Sequence, residues 1–193
     1  NFKVTLSNLF TILEPGRKPG SESAYILRQG SIYGIRPGAD LWSDCQEFKR
    51  LTAHAVGFEG DDLYEKARLL EQALTLYAGD YLPDARYETW AAAEREQLAV
   101  LFLQVSDNLC DIYLKMSAYR EVLEHCQAIL SHDNCWERAY RYQMRAYHGL
   151  GDSGQVARTY QRCIDTLKIE LDVSPSSETI TLFRALANQE PGL

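Results

Sequence analysis

No apolar run in these 193 residues approaches the length of about 20 that a membrane-spanning helix needs, so no partner role in a bilayer is expected. The first residues show no secretory-leader pattern. The chain has no glycine-rich phosphate loop, no Gly-x-Ser-x-Gly, no His-Glu-x-x-His and no carboxylate pair in a loop. Enzyme chemistry is therefore hard to assemble, and no catalytic residue is assigned. The four histidines (His54, His125, His132, His148) fall on helices or at a helix end, where surface or capping roles account for them. Cysteine is sparse, with five residues and no Cys-x-x-Cys pair. His125, Cys126, His132 and Cys135 cluster in sequence, yet their spacing fits no standard zinc site. Neither metal nor cofactor is expected, and free thiols suit a reducing cytoplasm. An initiator Met is missing too; the chain opens inside an amphipathic helix and reads as a piece of a longer protein.

What is present is a self-match at a shift of 34 residues. Val105, Ile112, Tyr113, Met116, Val122, Cys126 and Ile129 fall on Ala139, Ala146, Tyr147, Leu150, Val156, Tyr160 and Cys163. Tyr meets Tyr and Val meets Val once each, and the other pairs exchange small or apolar side chains. Paired amphipathic helices at this period are the signature of tetratricopeptide-type repeats. Such arrays present a stacked surface that binds other molecules. Cys110, Cys126 and Cys163 sit where repeat helices take small buried side chains, a role cysteine fills as a compact apolar residue.

Charge divides the chain unevenly. Residues 1–40 carry Lys3, Arg17, Lys18, Arg28 and Arg36 against Glu14, Glu22 and Asp40, a net of +2, so the remainder holds −9 of the total of −7. A mildly basic head on an acidic helical body places any nucleic acid at the head.

The head reads as a helix from Asn1 to Leu13, stopped by Glu14-Pro15-Gly16. At about 100° per residue, Phe2, Leu6, Leu9 and Leu13 share an apolar face, and Lys3, Val4, Ser7, Asn8 and Thr11 lie opposite. These short, mostly polar side chains suit base edges or phosphates, or else a solvated face. A mobile loop is expected over Arg17-Lys18-Pro19-Gly20-Ser21-Glu22-Ser23. Tyr25–Arg28 and Ile32–Ile35 then flank Gln29-Gly30-Ser31 as a β-hairpin. Helix, loop and hairpin form the last half of a winged helix, with Arg28 at the hairpin tip as its phosphate contact. The alternative is a small ribbon packed on the helical body.

From residue 41 everything reads as helix. Ser43 or Asp44 caps a helix through Phe48, Leu51 and Val56 to Gly57, and Asp61 or Asp62 starts the next, through Leu63, Ala67, Leu70 and Leu74. A long helix spans Tyr87 to Lys115, and its partner Tyr119 to Leu130. Trp136–Leu150 and Ser153–Leu171 form another pair, and Glu178–Ala187 closes the chain. The expected fold class is mainly α: a right-handed array of helix pairs after a partial winged helix.

Tyr77-Ala78-Gly79-Asp80-Tyr81-Leu82-Pro83-Asp84, followed by Tyr87, Trp90, Glu94-Arg95 and Leu98, resembles the central signature of the bacterial transcriptional activator domain. Glu170-Leu171-Asp172-Val173-Ser174-Pro175-Ser176-Ser177-Glu178-Thr179, with Leu182-Phe183, is similar to that domain's closing motif. Val4-Thr5-Leu6-Ser7-Asn8-Leu9, the Tyr33 hairpin and Asp40-Leu41 resemble the end of the winged helix that precedes it. Together they resemble the Streptomyces antibiotic regulatory protein family and related large activators, over essentially the whole chain. Asp172 stands where that family commonly has glycine, a place an aspartate tolerates in a left-handed conformation.

The resemblance implies a transcriptional activator, with a winged-helix end at 1–40 and an activator domain at 41–193. Promoter DNA, RNA polymerase and a second copy of the chain are the implied partners. Lys3, Ser7, Asn8 and Thr11 would face the DNA groove, and Arg28 with Arg17 or Lys18 the phosphates. Tyr81, Leu82, Tyr87 and Trp90 are expected to pack the signature turn onto the long helix. Glu94 and Arg95 are expected to pair within that helix or reach a neighbouring loop. Tyr140 and Tyr147 read as core, whereas Trp136, Arg138, Arg141, Tyr142 and Arg145 are expected to line a concave groove for a peptide or small acidic effector. The competing reading is a repeat-based sensor without DNA binding of its own.

Overall fold

The computed structural model describes residues 2–18, 20–58, 60 and 62–188. Asn1, Pro19 and Asp61, named above in the head helix, the loop and a cap, lie outside the described residues. The chain divides into two compact units, Asn1–Ser43 and Asp44–Leu193.

In the first unit, helix α1 (Phe2–Leu13) precedes strands β1 (Ile26–Gln29) and β2 (Ile32–Ile35). The strands pair antiparallel with Gln29 opposite Ile32, and Gly30 takes the left-handed conformation the tight turn requires, at φ 64°. α1 turns Leu6, Phe10 and Leu13 partly inward, while Leu9 and Phe2 are exposed. The inner stripe is thus rotated from the expected one, although Phe2 still meets the edge of the Tyr33 ring at 5.4 Å.

The loop after α1 is tied down rather than loose. Both Glu14 carboxylate oxygens accept hydrogen bonds, one from the Ser23 hydroxyl and one from the Ala24 amide at 2.9 Å. Those bonds, Ser23 first, hold the Glu14 carboxyl below the ordinary carboxylate value.

The second unit is helical: α2 (Asp44–Val56), α3 (Leu63–Leu74), α4 (Thr89–Lys115), α5 (Tyr119–His132), α6 (Glu137–Gly149), α7 (Ser153–Leu171) and α8 (Ser177–Asn188). Asp62 caps α3, accepting from the Tyr64 and Glu65 amides at 2.9 and 3.2 Å. Sequential helices pack in pairs, and α6 also meets both α4 and α8 across the array. Phe48, Leu70, Val105 and Leu109 form the core of α2, α3 and α4. Cys110, Val122, Cys126, Ile129, Ala139 and Ala146 form that of α4, α5 and α6. All five cysteines are free.

The sequence repeat is a structural one. Met116 caps the end of α4 and Leu150, 34 residues later, that of α6, and each is followed by a left-handed residue, Ser117 (φ 57°) or Gly151 (φ 75°). The same bonds close both turns: the Ala118 amide reaches Tyr113 and the Asp152 amide reaches Tyr147, each at 2.9 Å. This is the Schellman closure that satisfies the last carbonyls of a helix. Asp172 ends α7 in the same left-handed region, at φ 55°, as expected of an aspartate there.

The signature turn is held by α4. Arg95 donates to the carbonyls of Tyr81, Ala85 and Arg86 at 3.1, 3.0 and 3.1 Å, so it reaches the neighbouring loop. Glu94 pairs instead with Lys49 of α2 at 2.6 Å. Tyr77 stacks on Phe102 with ring centres 4.5 Å apart, and Tyr81 is half-buried against the first core. Leu82, Tyr87 and Trp90 depart from expectation: at 40%, 94% and 67% exposed they stand largely in solvent, and Ala91 rather than Trp90 is the buried residue at the start of α4.

Candidate functional site

Each unit carries one of the sets of residues singled out above. On the first, Lys3, Ser7, Asn8 and Thr11 lie on one exposed side of α1. A spacing of three to four residues brings them onto one face. The Thr11 hydroxyl donates to the Ser7 carbonyl at 3.0 Å, leaving that face with small side chains and one cation. Lys18 is exposed and makes no ion pair among the described residues. Arg28 is exposed at the hairpin end, where it donates to the Gly30 carbonyl at 2.9 Å and leans on the Tyr33 ring.

Arg17 is differently employed. Its guanidinium lies 4.2 Å over the Phe10 ring, donates to the Ser21 carbonyl and faces Glu14. It braces its own loop instead of projecting outward, since Phe10 rather than Leu9 supplies the inner face of α1.

On the second unit, Arg138, Arg141, Tyr142 and Arg145 of α6 line a hollow of about 330 Å³ with Asp111 of α4 and Glu178 of α8. It continues through Arg141, Arg145 and Glu178 into a second hollow against Thr181, Leu182 and Ala185. The groove thus follows α6 between its neighbours. Four of the five expected residues meet there. Trp136 does not line it, and packs half-buried against the second core. Tyr142 contributes mainly its hydroxyl, to which Arg138 donates at 2.9 Å, while its ring is buried.

Charge in this groove is largely answered from within. Arg138 pairs with buried Asp107 at 2.9 Å, and Arg141 with Glu178 at 3.1 Å. Burial pushes the Asp107 carboxyl up, and the Arg138 charge opposes that shift. Arg141 also donates to the Thr179 hydroxyl at 3.0 Å. Arg145 is exposed and makes no ion pair among the described residues. The carboxylates of this set escaped notice in the sequence, although Asp107 and Asp111 stand four apart on α4, a spacing that faces them together.

Glu137, also missed, docks the closing motif. Its carboxylate accepts from the Ser176 amide and hydroxyl at 2.9 and 2.8 Å and from the Thr179 hydroxyl at 2.6 Å. An anion there answers the unpaired amides at the start of α8. Ser176 and Thr179 thus seat α8 on α6.

The remaining candidates are dispersed. His125 contacts Glu71 at 2.8 Å, Cys126 meets Cys110 with sulfurs 3.7 Å apart, and His132 lies edge-on to Phe102. Among the described residues no helix is long and apolar enough to cross a membrane.

Comparison with solved structures finds a likeness to the Hsp90 co-chaperone Cns1 from Saccharomyces cerevisiae, at a TM-score of 0.56 and 10% identity, over 76% of this chain. The match spans 40% of that chain's length, and at this identity it concerns the fold alone. No curated protein matches. The family model for the bacterial transcriptional activator domain matches residues 43–187, which include the signature turn, the 34-residue repeat and the docked closing motif. The chain belongs to the bacterial transcriptional activator domain family.

Proposed function

We propose that this chain is the regulatory part of a DNA-binding transcription activator that works in the cytoplasm without catalysis of its own. Residues 1–40 serve as the end of a winged helix, and residues 41–193 as the activator domain. Lys3, Ser7, Asn8 and Thr11 approach base edges, while Lys18 and Arg28 approach phosphates. The helical array contacts RNA polymerase and a second copy of the chain. The observation that carries this reading is order along the chain: a small-faced helix, a braced loop and a hairpin directly precede the family match at residue 43.

A salt-dependent titration tests it, using DNA selected from a random pool and both this chain and the longer polypeptide that contains it. Specific binding by the longer polypeptide and little by this chain is expected, since few cations here release counterions. Lys18→Ala and Arg28→Ala should each reduce the slope of log K against log salt by about 1. Slopes unchanged in both variants, or strong sequence-specific binding by this chain alone, would contradict the assignment.

A second reading is favoured by Arg145, a guanidinium that makes no ion pair among the described residues in a groove whose other guanidiniums are matched. There the groove accepts an acidic peptide segment, with Arg145 as first contact.

A further inference from the structure

The signature turn does more than join α3 to α4. It closes over a cavity of about 340 Å³ in the second unit, apart from the α6 groove. Phe48, Tyr77, Tyr81 and Leu98 contribute its apolar and aromatic lining, and Asp44 and Asp80 its carboxylates. Backbone strain shapes it. Gly79 adopts φ 134°, and Leu82 is held left-handed at φ 48°. A non-glycine residue in that region persists only where its surroundings enforce it, here through the three carbonyls Arg95 grips.

Three properties of the cavity point to one class of ligand. Its size lies in the range of small-molecule sites, about 300–1,000 Å³. Among the described residues no lysine or arginine lines it. The cations nearby are committed, Lys49 to Glu94 at 2.6 Å and Arg95 to backbone carbonyls. Asp80 is exposed and makes no hydrogen bond or ion pair among the described residues, and its charge is felt at the Tyr77 hydroxyl, whose pKa is raised first by burial and then by Asp80. At the α2 end, burial, Asp44 and Glu94 push the Cys45 thiol up to about 11, so the cavity holds a neutral thiol in negative surroundings. Apolar and aromatic side chains beside carboxylates favour an organic cation with an apolar body twice over, through burial of that body and through direct charge.

We infer that the cavity beneath the signature turn is a binding site for a small organic cation with an apolar body, its ammonium group between Asp44 and Asp80 and its apolar part against Phe48, Tyr77, Tyr81 and Leu98. The site would give the array an effector input independent of both DNA and the α6 groove.

An NMR titration of this chain with phenethylammonium, its neutral counterpart phenethyl alcohol and the anion phenylacetate tests the assignment. Saturable shifts of the Ala78, Gly79, Asp80 and Tyr81 amides are expected with phenethylammonium at a Kd of about 1 mM or below. The alcohol should bind about tenfold more weakly, and phenylacetate should leave these amides in place. Asp44→Asn with Asp80→Asn should bring the cation down to the level of the alcohol. The Asn at residue 44 keeps the side-chain oxygen that accepts from the Cys45 amide at 2.7 Å, so the helix start survives. Equal affinity for cation and alcohol, shifts that never saturate, or a preference that outlasts the double substitution would each overturn the inference. None of these results bears on DNA binding, so the activator reading stands or falls separately.

Discussion

Ser117 and Gly151 occupy the same point of two turns 34 residues apart, both left-handed, at φ 57° and 75°. Only one of them is a glycine. A non-glycine residue in this region is strained by about 1–2 kcal/mol, whereas glycine loses more freedom on folding. The first effect outweighs the second, and Ser117 is exposed with no side-chain bond among the described residues. Ser117→Gly is therefore expected to stabilise the fold by roughly 0.5–1 kcal/mol and raise Tm by about 1–4 °C. Gly151→Ser should do the opposite. Calorimetry of both variants checks this, and a lower Tm for Ser117→Gly would reject it.

Arg95 makes three bonds to the signature turn in a fork that only a guanidinium supplies. Arg95→Ala should cost about 2–3 kcal/mol. Arg95→Lys should recover less than half of that, because one ammonium cannot reach three separated carbonyls. Denaturant melts of both variants measure the difference, and full rescue by lysine would show that charge alone sufficed.

Glu137 imposes a pH dependence on the docking of α8. Burial raises its pKa, but hydrogen bonds from Thr179 and Ser176 and the Arg141 charge outweigh burial and leave it below the ordinary value of 4.5. A carboxylate whose folded-state pKa is lowered stabilises above its unfolded value, and that contribution is lost as pH falls through the lowered one. Amide exchange in α8 should accelerate on acidification below 4.5 before the rest of the array loosens. Glu137→Gln should remove that acid step and loosen α8 already at neutral pH. A Gln variant with unchanged α8 exchange at both extremes would count against it.

Arg141 and Arg145 are one turn apart on α6 yet predict different outcomes. Arg141 holds Thr179 and Glu178, so Arg141→Ala should destabilise by about 1–3 kcal/mol. Arg145 has no ion pair among the described residues, so Arg145→Ala should stay within about 0.5 kcal/mol of the parent. Loss of an acidic peptide's binding on Arg145→Ala, with Tm unchanged, would locate that peptide in the groove. Unchanged peptide binding would remove the second reading of function.

Much of the architecture was readable in the chain. The caps, the hydrophobic spacing and the 34-residue shift each depend on neighbours within a turn or a helix pair, and these located the helices to within two residues. What escaped depends on partners far apart in sequence. Tyr142 and Tyr87 are the same residue type, yet one is buried in the core that α6 shares with α4 and α5, while the other stands exposed just ahead of α4. Arg95 reaching back to Tyr81, and Glu137 reaching forward to Thr179, join residues 14 and 42 apart. No periodicity marks such pairs. In the head, a single position separates Leu9 from Phe10, and that shift decided that Arg17 braces a loop.

The seat that Glu137 makes for α8 has a consequence for the last helix pair it covers. A stacked repeat offers its last pair as a template on which another pair can form. Here α8 covers α6 and α7 at that place, and the Tyr160 and Phe183 rings stack 4.0 Å apart beneath it. α8 therefore occupies that template, and the Glu137 carboxylate decides whether the faces of α6 and α7 beneath it stay covered or open to another partner.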